Sequence, residues 1–303
     1  MGEPAGIGPE IALTAFDQLG GHIGGHALKL VGDPGVFRSC GPVPSDALIA
    51  TGHEASRVPG KPQLRNAAAV CEAIEISVAA AKTGAAAAIV TAPINKAALA
   101  EADFRFPGHT EFLAHLTGIA RPVMMLCGAG LRVVPLTIHI PVAEIVGAIS
   151  TDAIVETGKI ILEALTRDFA VAGPRLAVSG LNPHAGEEGM LGDEERVLIA
   201  PAIARLKSAG ARVVGPLPAD TMFHEEARAQ YDAALCMYHD QALIPIKALA
   251  FWEGVNVTLG LPIVRTSPDH GTALDVAGKG KADPRSMVAA IRLAAQIADA
   301  RGR

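Results

Sequence analysis

The feature that most constrains the fold is the alternation of short apolar runs with longer helical patterns along the whole chain. Strand-like runs occur at 27–31, 86–91, 133–136, 176–181, 212–215, 233–238 and 255–259, and helical patterns between or after them occur at 66–83, 142–166, 194–209 and 284–299. Such alternation is typical of an α/β protein whose strands are largely parallel. No internal repeat interrupts it.

The bulk composition excludes several classes of protein. The chain has 303 residues, half of them hydrophobic, which is enough for a large core and two lobes. No run reaches the roughly 20 apolar residues that a membrane span needs. A net charge of −5 without a Lys/Arg run argues against a nucleic-acid binder. The four cysteines form no CxxC pair, which excludes a zinc ribbon or a thioredoxin motif. We therefore expect a cytoplasmic protein whose thiols are buried and reduced.

The segment from Gly2 to Glu10 is rich in glycine and resembles a phosphate-binding loop, although it is not GxGxxG and is a weak signal alone. Pro9 suits the first turn of a following helix. A loop of this kind normally follows a strand, and here only Met1 precedes it. We therefore expect a native first strand upstream of Met1.

Three histidines, His139, His184 and His239, each lie shortly after a predicted strand. Because the carboxyl ends of parallel strands meet at one edge of a sheet, these imidazoles form a candidate set of metal ligands. Three histidines with an open position suit catalytic Zn²⁺ or a similar divalent ion. A single histidine more often bonds only a loop carbonyl, but three at equivalent positions favour the metal. Asp240 or Glu187 could orient an imidazole.

Two further regions predict an anion site. The block 106–111 opens a helix, where backbone N–H groups, His109 and Thr110 could bind an anion; alternatively Thr110 is only a helix N-cap. Lys247 and Arg265, with Asn256 between them, lie in apolar surroundings, where a cation usually has an anionic partner. The loop 269–278 is either a second ligand loop or a surface turn.

Taken together, these blocks resemble the 4-hydroxythreonine-4-phosphate dehydrogenase family of vitamin B6 biosynthesis. The blocks that carry the resemblance are GEPAGIGPEI, TAPINKAAL, FPGHTEFLA, SGLNPHAGEEGMLGDEE, PADTMF, YHDQALIPIK and GVNVTLGLPIVRTSPDHGTALDVAG. The DHGTALDVAG loop is also similar to the adenosine-binding loop of isopropylmalate and isocitrate dehydrogenases. The resemblance implies their two-lobed α/β/α fold, with the active site in the cleft between the lobes. It places residues 1–108 and 258–303 in a cofactor lobe and residues 109–257 in a metal, substrate and dimerisation lobe.

The resemblance also implies roles for residues. It makes His139, His184 and His239 ligands of one divalent ion (Zn²⁺, Mg²⁺ or Co²⁺), in a site shared across a homodimer. The substrate contacts it implies are His109, Thr110, Lys247, Asn256 and Arg265, and the catalytic residues are Asp220 and Lys247. The cofactor, NAD or NADP, is expected at Gly6, Gly8, Asp269, His270, Gly271, Thr272, Ala273 and Asp275.

The implied reaction is oxidation of 4-phosphohydroxy-L-threonine at C3, followed by loss of CO₂ to give 3-amino-2-oxopropyl phosphate. Relatives with the same ligand set act on phosphorylated threonate or erythronate, or on aromatic cis-dihydrodiols. The presence of both Lys247 and Arg265 favours a phosphorylated substrate. A non-catalytic metal- or phosphate-binding protein is the alternative from another class. The sequence differs from the usual pattern of this family at two positions. The N-terminal glycine loop begins Gly2-Glu3 where Gly-Asp is common in the family, and Ala242 stands where the family often has Gly.

Overall fold

The computed structural model describes residues 1–102, 104–106 and 108–302. The strands, in chain order, are β1 (His22–Ile23), β2 (His26–Ala27), β3 (Leu30–Gly32), β4 (Leu48–Ala50), β5 (Ile89–Val90), β6 (Val123–Gly128), β7 (Leu131–Pro135), β8 (Arg175–Ser179), β9 (Arg212–Leu217), β10 (Ala233–Cys236), β11 (Val255–Leu259) and β12 (Arg265–Pro268). The α-helices are α1 (Gly8–Gln18), α2 (Pro34–Arg38), α3 (Ala67–Thr83), α4 (Lys96–Glu101), α5 (His109–Thr117), α6 (Ile145–Ala148), α7 (Thr151–Phe169), α8 (Ala200–Ser208), α9 (Glu225–Arg228), α10 (His239–Ala250) and α11 (Arg285–Ala300).

The chain divides into two compact units: Met1–Pro122 with Val255–Arg303, and Val123–Gly254. We call them the outer-segment unit and the central unit. The resemblance implies domain boundaries at 108/109 and 257/258, whereas the two compact units of the structure are divided at 122/123 and 254/255.

In the outer-segment unit, β12 pairs in parallel with β5 and antiparallel with β11, and β3 pairs in parallel with β4. Helix α11 packs on this sheet with one apolar face, which includes Met287, Ile291 and Ile297. Helix α3 ends where Gly84 adopts a left-handed conformation (φ 80°), which closes the helix without a Cβ clash.

In the central unit, the strand order is β6-β7-β10-β8-β9. Strands β6 and β7 form an antiparallel hairpin, whereas β7, β10, β8 and β9 are parallel neighbours. The core residues of β8 and β10 are fully buried and apolar, as expected for parallel strands covered on both faces. Because β7, β10 and β8 are adjacent and parallel, the loops after them emerge at one edge of the sheet.

The predicted α/β fold with mainly parallel strands is confirmed, but several predicted elements differ in detail. The predicted helix 142–166 is wrong as a single element, because Ser150 is extended and caps α7 by accepting a hydrogen bond from the Ala153 N–H. The predicted helix 194–209 begins with a π-helical turn, Glu195–Ile199, before α8. Pro9 lies in the first turn of α1, as predicted.

The four cysteines are free, but the prediction that they are buried is confirmed for only two of them. Cys127 on β6 and Cys236 on β10 are buried in the central unit, whereas Cys40 and Cys71 in the other unit are partly exposed. Burial raises the pKa of the Cys127 thiol to about 12. Among the described residues, no helix is both long and apolar enough to cross a membrane.

Candidate functional site

Arg265 is a buried cation at the start of β12, with 4% of its surface exposed. Its Nε and Nη2 donate to the Thr91 hydroxyl at 3.1 and 2.7 Å, and its Nη1 donates to the Thr258 hydroxyl at 2.9 Å. Within the described part of the chain, no carboxylate pairs with it. Burial lowers the pKa of Arg265 to about 10, so the guanidinium is still charged at neutral pH. A buried charge held only by neutral hydroxyls needs an anion to balance it.

His109 begins α5 in the same unit, and its N-cap is Gly108. Thr110 is the second residue of the helix, so the alternative that Thr110 is the N-cap is wrong. Pro107 of the predicted block lies outside the described residues. Burial, followed by the positive charge of Arg265, holds the pKa of His109 well below its usual range. His109 is therefore neutral at physiological pH and can donate one hydrogen bond without adding charge.

Two of the predicted ligand-binding residues in the outer-segment unit bury polar atoms without a hydrogen-bond partner. These atoms are Asn256 Oδ1 on β11 and His270 Nε2 in the loop after β12. A buried polar group that no protein group satisfies is expected where a ligand or water completes the bonding.

The glycine loop at the chain start and the loop 269–278 lie against each other. The Ile7 N–H donates to the Thr272 carbonyl at 3.0 Å, and a Cβ on Gly6 would lie 2.7 Å from the same oxygen. The Gly278 N–H donates to Glu10 at 2.6 Å, and Glu10 also pairs with Arg57. The glycine at position 6 is thus required for close approach of the two loops. Gly8 is the first residue of α1, directly after the glycine loop. Gly271 and Ala273 lie in the loop 269–278, where Asp269 donates its N–H to Ser286 and Asp275 is exposed.

In the central unit, His139 and His239 share a pocket of about 220 Å³ with Thr137, Tyr238 and Asp240. Their ring centres are 6.0 Å apart. A ring centre lies roughly 3 Å from an ion that the imidazole binds, so a small adjustment would let both rings reach one ion. Asp240 Oδ1 lies 2.7 Å from His239 Nδ1, which leaves Nε2 for a ligand. The sequence predicts that either Asp240 or Glu187 orients a histidine ring, and in the structure Asp240 makes such a contact with His239.

His184 lies in the loop after β8, outside that pocket. It is the first of five successive residues, 184–188, whose φ angles are positive, between 41° and 80°. Only Gly186 among them lacks a Cβ, and each of the others costs roughly 1 kcal/mol in this conformation. Among the residues that the structure describes, no group of three His, Cys, Asp or Glu side chains could hold a metal ion within one chain. The three histidines thus do not meet in a single copy.

The two predicted catalytic residues, Asp220 and Lys247, also lie in the central unit. Asp220 is exposed in a turn, 218–221, before α9. Lys247 is partly buried on α10, with Nζ 5.5 Å from the centre of the Phe251 ring.

Sequence reasoning missed five residues that support these groups: Thr91 and Thr258, which bind Arg265; Lys96, whose Nζ lies beside Gly108; and Glu195 and Gln241, which bind the backbone of the His184 loop. Each of the five lies inside a block that carried the resemblance, so polar residues within those blocks were the available signal.

Comparison with known proteins gives a consistent result. The family described as "Pyridoxal phosphate biosynthetic protein PdxA" matches residues 38–294. The 4-hydroxythreonine-4-phosphate dehydrogenase of Roseobacter denitrificans is 52% identical over 98% of this chain and 95% of its own. The enzyme of the same name from Caulobacter vibrioides is 48% identical over 99% of this chain and 97% of its own.

A solved structure shows the same fold. The crystal structure of 4-hydroxythreonine-4-phosphate dehydrogenase from Klebsiella pneumoniae superposes with a TM-score of 0.87 and is 39% identical. The match covers 98% of this chain and 96% of that one.

Proposed function

The chain belongs to the pyridoxal phosphate biosynthetic protein PdxA family of oxidoreductases, and from that premise we propose that it is a 4-hydroxythreonine-4-phosphate dehydrogenase. In this proposal it oxidises the C3 hydroxyl of 4-phosphohydroxy-L-threonine with NAD or NADP. The β-keto acid then loses CO₂ and gives 3-amino-2-oxopropyl phosphate. The observation that carries the proposal is the buried guanidinium of Arg265, which pairs with no carboxylate of the described residues.

Arg265 and His109 supply the phosphate end of the site. Arg265 provides a fixed positive charge, and the Thr91 and Thr258 hydroxyls hold its planar group in one orientation. Neutral His109 provides a donor without further charge, and Thr110 beside it offers a hydroxyl. Asn256 has an unsatisfied oxygen for a substrate donor, and Lys247 supplies a second cation. Binding of this remote phosphate helps hold the carbinol in place for reaction.

His139, His184 and His239 are proposed to hold one divalent ion, Zn²⁺, Mg²⁺ or Co²⁺. The donor chemistry fits, because His139 and His239 share a pocket and Asp240 fixes the ring of His239. Such an ion supplies Lewis acidity at the reacting oxygen. Asp220 is proposed to accept the hydroxyl proton. Since the three histidines do not meet in one copy, we propose that a second copy of the chain completes the set.

Exposed apolar side chains support a homodimer through the central unit. Large hydrophobic residues are mostly buried elsewhere, but this unit exposes Val142 (78%), Met190 (81%), Ile244 (66%), Phe251 (60%) and Trp252 (53%). Several large exposed apolar side chains on one unit are a feature of protein interfaces. Two of these residues, Val142 and Met190, follow the loops that carry His139 and His184.

The loops at 2–8 and 269–278 are proposed to bind the nicotinamide cofactor, which supplies the acceptor for hydride. The contact between Ile7 and Thr272 holds the two loops in register, and His270 leaves a buried nitrogen for a ligand. Asp269, Gly271, Ala273 and Asp275 complete this side of the proposed site.

The test is NADH or NADPH formation by the purified protein, with metal supplied, from 4-phosphohydroxy-L-threonine, 4-phospho-threonate and 4-phospho-erythronate. We expect the highest kcat/KM with the first substrate. A higher value with either sugar acid would replace the proposal by a phospho-sugar-acid dehydrogenase. No turnover of any of the three would refute both.

A further inference from the structure

Glu195 is a buried carboxylate bound to the backbone of the loop that carries His184. Only 5% of Glu195 is exposed. Its Oε1 accepts hydrogen bonds from the N–H groups of Leu181 and Asn182, both at 2.7 Å, and its Oε2 accepts one from Asn182 Nδ2 at 3.0 Å. These donors lie just beyond Gly180, which follows β8, and are three and two residues before His184. The carboxylate therefore fixes the point at which the histidine loop leaves the strand.

The loop also wraps closely around this carboxylate. A Cβ on Gly186 would lie 2.6 Å from Oε2, and a Cβ on Gly180 would lie 3.1 Å from Oε1. Gly186 is the middle residue of the left-handed run 184–188. Since a left-handed run of mostly non-glycine residues is unfavourable by itself, contacts from outside the run must hold it. Glu195 contacts the backbone that leads into the run, at Leu181 and Asn182, and lies against Gly186 in its middle.

Glu195 begins the π-helical turn Glu195–Ile199 that precedes α8. A π-helical turn contains one residue more than an α-helical turn and is often found beside functional sites. From the first residue of this turn, the carboxylate reaches the loop backbone.

Gln241 connects the same loop to the strand end that carries His239. Its Nε2 donates to the Gly180 carbonyl at 2.9 Å, while its Oε1 accepts from the Met237 N–H at 2.9 Å and from the Ser179 hydroxyl at 3.1 Å. Glu195 and Gln241 thus bind successive residues of one loop. The position of the His184 loop relative to β10 depends on both.

We propose that Glu195 is the positioning residue for His184: its buried carboxylate holds the strained histidine loop in the conformation that binds the metal. This inference rests on the proposed function, which assigns His184 to the metal. A purely structural role would lower stability without changing metal affinity in the folded protein. A positioning role lowers metal affinity, because the imidazole no longer has a fixed direction.

The experiment measures Co²⁺ binding by the metal-free protein from the visible absorption of the ion, together with the melting temperature of each variant. Glu195→Gln keeps the shape of the side chain, but its amide nitrogen faces the amide nitrogen of Asn182. We expect Co²⁺ affinity to fall about 10- to 100-fold, with weaker absorption that indicates altered coordination. The matched control is Glu163→Gln, the same change at a side chain that is 72% exposed on α7, and we expect wild-type affinity.

The reference variant is His184→Ala. It distinguishes the claim that His184 binds the metal from the claim that Glu195 positions His184. Loss of Co²⁺ binding in His184→Ala with wild-type binding in folded Glu195→Gln would overturn the positioning role and leave the metal assignment intact. Wild-type binding in His184→Ala would overturn both. If Glu195→Gln shows no cooperative melting, Glu195→Asp is the second variant. It keeps the charge but withdraws the carboxylate by one carbon–carbon bond, and undiminished Co²⁺ affinity there would equally overturn the proposal.

Discussion

Replacing Arg265 with methionine should separate the stability of the protein from its ability to bind phosphate. In the free protein, burial lowers the pKa of Arg265 from 12.5 to about 10. That shift corresponds to on the order of 3 kcal/mol of unfavourable free energy for the charged form. The guanidinium also makes three hydrogen bonds to threonine hydroxyls, two of them to the same Thr91 oxygen; at the lower end of the range for a charged donor each contributes about 1.5 kcal/mol. The two contributions differ by only about 1–2 kcal/mol, so Arg265→Met should change the melting temperature by only a few degrees.

Phosphate binding should respond very differently to the same substitution. Charged hydrogen bonds contribute about 1.5–3 kcal/mol each, so loss of a two-pronged contact should weaken phosphate binding about 100-fold or more. The assay is thermal unfolding with increasing inorganic phosphate. At 100 times the dissociation constant, a ligand stabilises the folded state by about 2.7 kcal/mol, and this stabilisation should disappear in Arg265→Met.

The control is Arg205→Met, which removes a guanidinium that is 53% exposed and paired with Asp152 on the surface. It should retain the full phosphate-dependent rise in melting temperature. Two results would refute the reasoning. One is an undiminished phosphate effect in Arg265→Met. The other is a loss of more than about 10 °C in the free variant, since the buried charge would then be stabilising in itself.

Three further predictions concern metal affinity and pH. Asp240→Ala removes the acceptor for His239 Nδ1, so Co²⁺ affinity by absorption titration should fall about 10-fold; unchanged affinity would contradict the orienting role. The folded-state pKa of His109 lies below that of the unfolded chain, so the unfolded state binds the proton first and stability falls as the pH drops below about 6.5. Melting curves from pH 7 to 5 should therefore show a smaller loss for His109→Gln than for the wild type, and equal losses would contradict this. Burial raises the pKa of Glu3, so its charge destabilises the fold once the pH exceeds the unfolded value. Glu3→Gln should raise the melting temperature at pH 7 while the exposed control Glu54→Gln does not, and a lower melting temperature would contradict it.

Sequence reasoning succeeded where apolar periodicity and strand ends determine structure. The strand Val255–Leu259 has the same limits in the sequence pattern and in the structure. The parallel neighbours β7, β10 and β8 also place the three histidine loops at one edge, as expected. In both cases the burial of alternating or continuous apolar residues leaves few arrangements for the backbone.

The same reasoning failed where distant partners decide the structure. Strand β12, Arg265–Pro268, contains no apolar run, yet all four of its residues are buried. Thr91 and Thr258 bind the guanidinium of Arg265, and the Ala290 carbonyl accepts from the Thr266 hydroxyl. The left-handed run 184–188 contains one glycine, so local preference predicts an ordinary turn. Its conformation depends on Glu195, which is far enough along the chain that no local pattern reveals the contact.

Each of the two units contains two cysteines, whose reaction with an alkylating reagent can report the opening of that unit. Cys40 and Cys71 can meet an alkylating reagent after small fluctuations, whereas Cys127 and Cys236 lie within the strands of the central sheet. Their raised pKa values also make them poor nucleophiles until the sheet opens. Mass spectrometry of a timed alkylation would therefore record the opening of the two units separately, without any engineered label.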